Sequence, residues 1–286
     1  MNIEHIRSFL EVAATGNFHR AGEHLHVTQS TVSARVQALE QRIGQPLFTR
    51  GRGGVALTTA GRRFHRYAVA TVRAWEQGRQ ETALPEGFRA SIALGTQVSL
   101  WERLVLKWIP WMRAALPDVA LRLEADYSPS QMQKLADGLL DIGVMYMPRH
   151  MPGLAVETLL VEKLVLVSTR PRKIVSDWVA DYVFVDWGED FLVQHRQAFP
   201  EMETPAVSVG LGAMGLQHIL ASGGSGYFPL RAVQTLLRDK RLYRVAKAPV
   251  FKRPAYMVYS ADPSDQALLD QALEGLRHVA RQAADA

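Results

Sequence analysis

Residues 17–33 read NFHRAGEHLHVTQSTVS and contain two short helical patterns separated by a tight turn. Thr28 favours the position just before a helix, because its hydroxyl accepts a hydrogen bond from an unpaired backbone N–H group. The apolar residues that follow recur every three or four positions and so share one helix face: Val32, Val36, Leu39 and Ile43. Gly44 then ends the pattern. The stretch predicts a helix-turn-helix whose second helix runs from Thr28 to residue 43.

The surrounding residues extend this motif to a winged helix-turn-helix. A helical pattern precedes it from Ile3 to Gly16, and the basic, glycine-rich segment 50–54 follows as a tight turn between short extended pieces. In this layout the start of the second helix reaches base edges in the major groove, and the wing contacts phosphates or the minor groove. The predicted DNA contacts are Arg20, Thr28, Gln29, Ser30, Thr31, Ser33 and Arg35 in the helical part and Arg50 and Arg52 in the wing.

The charge of the chain is concentrated in the same region. Residues 18–73 hold nine arginines against the two acids Glu23 and Glu40, so this window carries a net charge of +7, whereas the whole chain carries +5. The rest of the chain therefore sums to −2. A positive patch confined to one end of the chain is typical of a site for a polyanion such as double-stranded DNA.

A long helix is predicted after the wing, starting at Thr58-Thr59. It carries a narrow apolar stripe with arginines on its other faces, and the stripe consists of Phe64, Ala68, Val72 and Trp75. A lone stripe needs a partner surface, which predicts a linker helix that pairs with a second copy. The alternative is a helix that packs on its own domain.

Beyond residues 84–87 the pattern changes to strands alternating with helices, which is typical of an α/β fold with parallel strands. Two such sets follow one another, with a late strand at residues 256–259 and a final amphipathic helix at 266–283. The chain has 286 residues and no cysteine, which excludes disulfide frameworks and thiolate metal sites. It also has no apolar run long enough for a transmembrane helix and no signal peptide pattern, so we expect a cytoplasmic protein without a membrane partner.

The N-terminal residues resemble the LysR-type transcriptional regulators in register over about 65 positions. Ser30 stands where the family often has proline, and Arg35 and Gln37 are exchanged relative to its usual order. The matching segments are Phe9-Leu10-Glu11-Val12-Ala13, Asn17-Phe18, Ala21-Gly22, Leu25-His26-Val27-Thr28-Gln29-Ser30, Val32-Ser33, Leu39-Glu40, Gly44, Pro46-Leu47-Phe48-Thr49-Arg50, Leu57-Thr58 and Ala60-Gly61. Further segments resemble the family's effector domain, namely 139–144 and 219–229, and its HdfR-like members, namely 99–102 and 186–191.

The resemblance implies an all-α-rich, winged helix-turn-helix head, a linker helix, and two Rossmann-like subdomains arranged as in a periplasmic binding protein. The implied boundaries are 1–58 for the head, 59–87 for the linker and 88–286 for the effector-binding domain. Within the last, subdomain I covers 88–161 and 257–286 and subdomain II covers 162–256, with crossing strands near 162–167 and 249–257. The resemblance also implies a homodimer through the linker helix and a homotetramer, and it allows RNA polymerase as a further partner.

Ligands of such α/β proteins bind where strand ends meet helix N-termini, whose free N–H groups attract anions and carboxylates. We therefore expect a small-molecule effector, anionic or a carboxylate, between the subdomains. The residues expected to line its site are Thr96, Gln97, Val98, Ser99, Ser128, Ser130, Asp186, Trp187, Gly212 and Met214.

Three other functions compete with a transcriptional regulator. An α/β enzyme or solute-binding protein with an accessory helical head would turn over or carry its ligand, and an architectural DNA-binding protein would lack sequence preference. Gly210-Leu211-Gly212-Ala213-Met214-Gly215 matches a dinucleotide-binding pattern. Against that function, the helix that follows is short, and the first acid, Asp239, lies 24 residues past Gly215 and beyond a strand broken by proline. No catalytic motif, metal-ligand spacing or cofactor site stands out, so we expect no catalytic residue, no metal and no cofactor.

Overall fold

The structure is a computed structural model that describes residues 2–51, 54–82, 84, 86–174, 179–202 and 204–285. The chain divides into two compact units. The first contains residues 1–91 with 136–140 and is called the head unit below, and the second contains residues 92–135 and 141–286 and is called the α/β unit. The predicted fold class, a helical head followed by an α/β body, is confirmed.

The head unit is built from helices and one hairpin. Gly16 and Gly44 end the first and third helices in the left-handed conformation, with φ of 63° and 73°, as predicted from the sequence. The elements are α1 (Ile3–Thr15), α2 (Phe18–His24), α3 (Gln29–Ile43), β1 (Phe48–Gly51), β2 (Gly54–Leu57) and α4 (Thr59–Thr82).

One face of α4 packs on its own head unit. Phe64, Ala68 and Val72 join the core formed by Phe9 and other apolar residues of α1. The prediction that this stripe meets a second copy is therefore wrong for these three residues, because α1 already covers them. Trp75 instead stands 54% exposed.

Other apolar residues of α4 are exposed. They are Tyr67, Ala70 and Ala74, on another side of the helix, and Trp75, and together they are called the exposed apolar group of α4. These residues are available to a partner surface.

The α/β unit is a sheet covered by helices. Its strands are β3 (Ala90–Thr96), β4 (Val119–Ala125), β5 (Ile142–Met145), β6 (Leu154–Ser168), β7 (Val183–Val185), β8 (Val207–Val209), β9 (Ser225–Pro229), β10 (Tyr243–Arg244) and β11 (Phe251–Ser260). Its helices are α5 (Val98–Leu100), α6 (Leu106–Ala115), α7 (Ser128–Ala136), α8 (Glu189–Ala198), α9 (Gly212–Ser222), α10 (Leu230–Arg238) and α11 (Gln266–Asp285). A π-helical turn, Trp101–Val105, separates α5 from α6.

Two lobes share the main sheet, whose described strands run in the order β10-β6-β11-β5-β3-β4 with β9 also paired to β6. The first lobe holds β3, β4 and β5, with β3 parallel to β5. The second lobe, residues 169–250, adds a separate parallel pair, β7 with β8. The long strands β6 and β11 join the lobes as an antiparallel pair, in the segments where crossing strands were predicted. No helix in the described part of the chain is long and apolar enough to span a bilayer.

Candidate functional site

Side-chain caps fix the helix-turn-helix. Oδ1 of Asn17 accepts hydrogen bonds from the backbone N–H groups of His19 and Arg20, at 2.8 and 3.3 Å, and so starts α2. The hydroxyl of Thr28 accepts from the N–H group of Thr31 at 3.2 Å and starts α3. Between them, a Cβ on Gly22 would lie 2.8 Å from the carbonyl oxygen of Val27, so only glycine lets α2 approach the turn this closely.

The solvent face of α3 follows from its buried face. Val32, Val36 and Leu39 are buried in the head, so the residues between them point outward. Gln29 and Ser30 are exposed at the start of the helix, as a base-reading position requires.

The remaining predicted contacts have different surroundings. Thr28 is occupied in capping, and its Oγ1 also lies 2.8 Å from the hydroxyls of Ser30 and Thr31. Ser33 is partly exposed on the outer face. Arg35 points back into the head, where its guanidinium group lies 3.6 Å from the carboxylate of Glu4 on α1.

Gln37 is an exposed residue of α3 that the sequence reasoning did not select. The position of the buried stripe was the available signal, because it places residue 37 outside and residue 35 toward α1. Arg20 on α2 is also exposed. The backbone of Arg50 lies in β1, and Arg52 lies outside the described residues.

In the α/β unit, hydrogen bonds connect the strand ends of the first lobe. The carbonyl of Thr96 accepts a hydrogen bond from the N–H group of Asp126 at 2.9 Å, and Oε1 of Gln97 accepts from the N–H group of Tyr146 at 3.2 Å. Oγ of Ser128 accepts from the N–H group of Met147 at 3.4 Å. The ends of β3, β4 and β5 therefore form one edge.

The second lobe presents a matching edge. The indole of Trp187 is buried and donates to the carbonyl of Tyr227 at 2.8 Å, and Asp186 is exposed beside it. The two edges meet where the sulfur of Met147 lies 2.9 Å from the position a Cβ would take on Gly188. The strand ends of the two lobes are therefore neighbours, and the region between them is called the cleft below.

The predicted effector residues differ in burial. Three are buried and hold the edges in place through hydrogen bonds or packing, namely Thr96, Ser128 and Trp187. Four are half-buried, namely Gln97, Ser99, Ser130 and Gly212, and Ser130 donates to the carboxylate of Asp126. Three are exposed, namely Val98, Asp186 and Met214.

A buried charge network lies below the cleft. Oε1 of Glu162, which is 2% exposed, accepts from Nη1 of Arg103 at 3.0 Å and from Nε of Arg231 at 2.6 Å. Its Oε2 accepts from the hydroxyl of Tyr146 at 2.7 Å. Burial acts to raise the pKa of Glu162, but the charge of Arg231 and the hydrogen bond from Tyr146 outweigh it and hold the pKa below its usual range.

Arg253 lies between two aromatic rings beside this network. Its guanidinium carbon is 3.3 Å from the ring centre of Tyr146 and 4.9 Å from that of Trp187. Its Nε and Nη1 atoms are buried and have no hydrogen-bond acceptor among the described residues. Burial lowers its pKa.

Sequence reasoning missed Glu162 and Arg253 as site residues, although it placed crossing strands over both. The available signal was a charged residue within each strand, because a charge in a covered sheet needs a partner or a function. Arg103, Arg231 and Tyr146 carried no signal of their own, since they come from distant parts of the chain.

The glycine motif 210–215 serves packing. A Cβ on Gly212 would collide with the ring of Trp187, and one on Gly215 would lie 2.8 Å from a methyl group of Val185. The close approach that these glycines permit is thus made by side chains of the second lobe. In the part of the chain that the structure describes, no three histidine or acidic residues come together to hold a metal ion.

Comparisons with known proteins agree with both units. Residues 3–62 match the family of bacterial regulatory helix-turn-helix proteins of the lysR type, and residues 85–281 match the LysR substrate binding domain. The HTH-type transcriptional regulator HdfR of Salmonella schwarzengrund (strain CVM19633) is 28% identical over 272 residues, which cover 94% of this chain and 96% of that protein.

Solved structures show the same fold. ArgP from Mycobacterium tuberculosis has a TM-score of 0.60 at 24% identity, with 96% of both chains covered. LysG from Corynebacterium glutamicum, solved with bound effector Arg, has a TM-score of 0.56 at 19% identity, with 99% of both chains covered.

Proposed function

The chain belongs to the bacterial LysR family of transcriptional regulators, and we propose that it reads its operator through the outer face of α3 and responds to a small anionic effector in the cleft. It is a DNA-binding regulator with an effector-binding domain and not an enzyme. Two features carry the proposal. Gln29 is exposed at the start of α3, and the guanidinium group of Arg253 is buried with donor atoms that lack an acceptor among the described residues.

The DNA part of the proposal rests on exposure and chemistry. Gln29 is exposed at the start of α3, and a glutamine side chain bonds adenine with two hydrogen bonds in the major groove. Arg20 supplies phosphate contacts, as do Arg50 and Arg52 in the wing. Thr28 and Thr31 fix the helix start, and Ser30 and Ser33 add contacts to bases or phosphates. Arg35 stays near Glu4 in the free protein and contacts DNA only if its side chain turns toward the DNA.

The effector part rests on charge. Arg103 and Arg231 already bond the carboxylate of Glu162, whereas Nε and Nη1 of Arg253 are buried and lack an acceptor among the described residues. A carboxylate is the group that arginine binds best in a planar, two-point geometry. The apolar side chains of Val98 and Met214 are exposed and available to contact the rest of the ligand. LysG was solved with the amino acid Arg, which carries a carboxylate group, and this supports an effector of similar size here.

Assembly and location complete the proposal. Two α4 helices pair through Tyr67 and Trp75, which places two recognition helices on an inverted repeat, and two such dimers form the tetramer. The complex acts in the cytoplasm and contacts RNA polymerase. The proposed domains are the head at 1–58, the linker at 59–87 and the effector-binding domain at 88–286.

Fluorescence anisotropy tests whether the protein binds DNA with sequence preference. DNA from upstream of the protein's own gene is compared with scrambled DNA at several salt concentrations. We expect a preference of about a thousandfold, as is typical of sequence-specific regulators. Equal binding to both DNAs with a steep salt dependence would favour an architectural protein.

Thermal denaturation tests the effector class. Acetate, benzoate and arginine are compared with acetamide, benzamide and argininamide on the full chain, on Arg253→Gln and on Arg196→Gln, an exposed control on α8. We expect a carboxylate, but not its amide, to raise the melting temperature of the wild type and of the control only. Equal shifts by acid and amide, or no shift by any acid, would contradict an Arg253-bound carboxylate.

A further inference from the structure

A concave site lies between α10 and the segment of residues 102–107. It has a volume of about 410 Å³, within the range of small-molecule sites. We call it the basic pocket, and its lining residues are Glu102, Arg103, Lys107, Arg231, Gln234, Thr235 and Arg238.

One wall of the basic pocket is a complete polar face of α10. Residues 231, 234, 235 and 238 follow the i, i+3, i+4, i+7 spacing of one helix face. The opposite face of α10 carries the buried Val233, which fixes the polar face outward.

The other wall comes from the π-helical turn Trp101–Val105 and from Lys107 on α6. Such turns are rare and occur frequently at functional sites. Here the turn places Glu102 and Arg103 on the pocket wall, and it lets Arg103 reach Glu162 at 3.0 Å.

The pocket is rich in cationic hydrogen-bond donors. Four cationic side chains and the carboxylate of Glu102 line it. Arg103 and Arg231 share Oε1 of Glu162 at the floor, and Arg238 lies 3.6 Å from Asp239 at the rim. Lys107 is exposed and makes no contact with Glu162.

We propose that the basic pocket binds a small molecule with two or more phosphate groups, such as a diphosphate or bisphosphate. A phosphate group carries up to two negative charges and accepts the two-point hydrogen bonds that arginine offers. A single carboxylate has too few oxygen atoms to contact all four cationic side chains. The concave shape and limited volume select a small molecule over a polymer.

The basic pocket is joined to the effector edge through one side chain. Nη2 of Arg231 donates to the carbonyl of Ser99 at 2.7 Å, while its Nε donates to Glu162. A polyanion bound to Arg231 therefore acts on the segment that begins at Val98.

Isothermal titration of the full chain with inorganic pyrophosphate at constant ionic strength tests the proposal. The informative variant is Lys107→Gln/Arg238→Gln, because both side chains are exposed and neither holds Glu162. Controls are Arg196→Gln on α8 and Arg20→Gln in the head, which removes a cation of the DNA-binding surface. We expect saturable binding that weakens by about tenfold or more in the double variant and is kept in both controls.

Hydrogen exchange of the same samples locates the anion. Pyrophosphate is expected to slow exchange in residues 98–107 and 230–239. Equal affinity of the double variant and the wild type, protection confined to residues 18–43, or no saturable binding by the wild type would each overturn the proposal.

Discussion

Arg253 lies directly across from Glu162 on the paired strands β11 and β6, yet its guanidinium group stacks on the ring of Tyr146 at 3.3 Å. The carboxylate of Glu162 instead accepts hydrogen bonds from Arg103 of the first lobe and Arg231 of the second lobe. Glu162 thus ties both lobes to the crossing strands, while Arg253 keeps donor atoms without an acceptor among the described residues.

Replacing Glu162 with glutamine is expected to lower the free energy of unfolding of the α/β unit by about 3 kcal/mol, because buried guanidinium groups lose their counter-charge. Urea denaturation measures the change. The control Glu274→Gln removes a carboxylate paired with Arg277 and Arg281 on the surface, so it should change little. A similar loss in both variants would show that the network has no special role.

His195 predicts sensitivity to acid. It is 4% exposed within the aromatic core of the second lobe, with Nε2 2.9 Å from the hydroxyl of Tyr182, and burial lowers its pKa from 6.5 to about 4. The unfolded chain therefore binds a proton at a higher pH than the folded chain does. Stability is lost as the pH falls from 6.5 toward 4, by up to about 1.4 kcal/mol per pH unit.

Urea denaturation at a series of pH values measures this loss. His195→Gln removes the titrating group and should flatten the dependence, whereas His218→Gln, at an exposed position on α9, should keep the wild-type dependence. An unchanged slope in His195→Gln would assign the acid sensitivity to other groups.

Gly212→Ala is expected to destabilise the second lobe by about 1–3 kcal/mol, because the new methyl group collides with the ring of Trp187. The intrinsic fluorescence should change as well, since Trp187 must leave its hydrogen bond to Tyr227. Gly210→Ala is the matched control, because no atom lies within 4 Å of its new methyl group. Equal stability of the two variants would contradict the packing role of Gly212.

Replacing Gln29 and replacing Arg20 should weaken DNA binding in different ways. Gln29→Ala is expected to relax preference at one base position, at a cost of about 1–3 kcal/mol on the operator alone. Arg20→Ala should weaken binding to all sequences and reduce the salt dependence. Anisotropy with a set of single-base operator variants separates the two, and equal losses on every DNA for both proteins would reject the assigned roles.

Trp75→Glu is expected to raise the dimer dissociation constant by about tenfold or more, because it places a charge within the exposed apolar group of α4. Sedimentation velocity measures the assembly state. Val193→Glu changes an apolar residue of similar exposure on α8 and should leave the dimer intact. A dimer that tolerates Trp75→Glu would locate the interface elsewhere.

The local patterns of the head were predictable from the sequence. Caps such as Thr28, stops such as Gly44 and the stripe of α3 depend on neighbours within a few residues, and the structure has them where they were expected. The partner of a stripe is a long-range property. The sequence could not tell that α1 covers Phe64 and Val72 while Trp75 is left outside.

The charge network was not predictable for the same reason. Glu162 is 59 and 69 residues away from Arg103 and Arg231, and nothing local links them. Strand alternation places Glu162 in a strand, but only the register of β6 on β11 sets it opposite Arg253. The cleft residues were selected by their position after strand ends, which does not distinguish the exposed Val98 from the buried Thr96.

The pairing of β6 with β11 also sets an order on protein synthesis. The ribosome must complete all of residues 169–250 before β11 emerges and can insert between β5 and β6. Until then Glu162 has no Arg253 across from it, and the sheet exposes two strand edges. The head finishes folding much earlier, because domains fold as units in the order of translation. A nascent chain therefore carries a complete DNA-binding head before its ligand-sensing part exists.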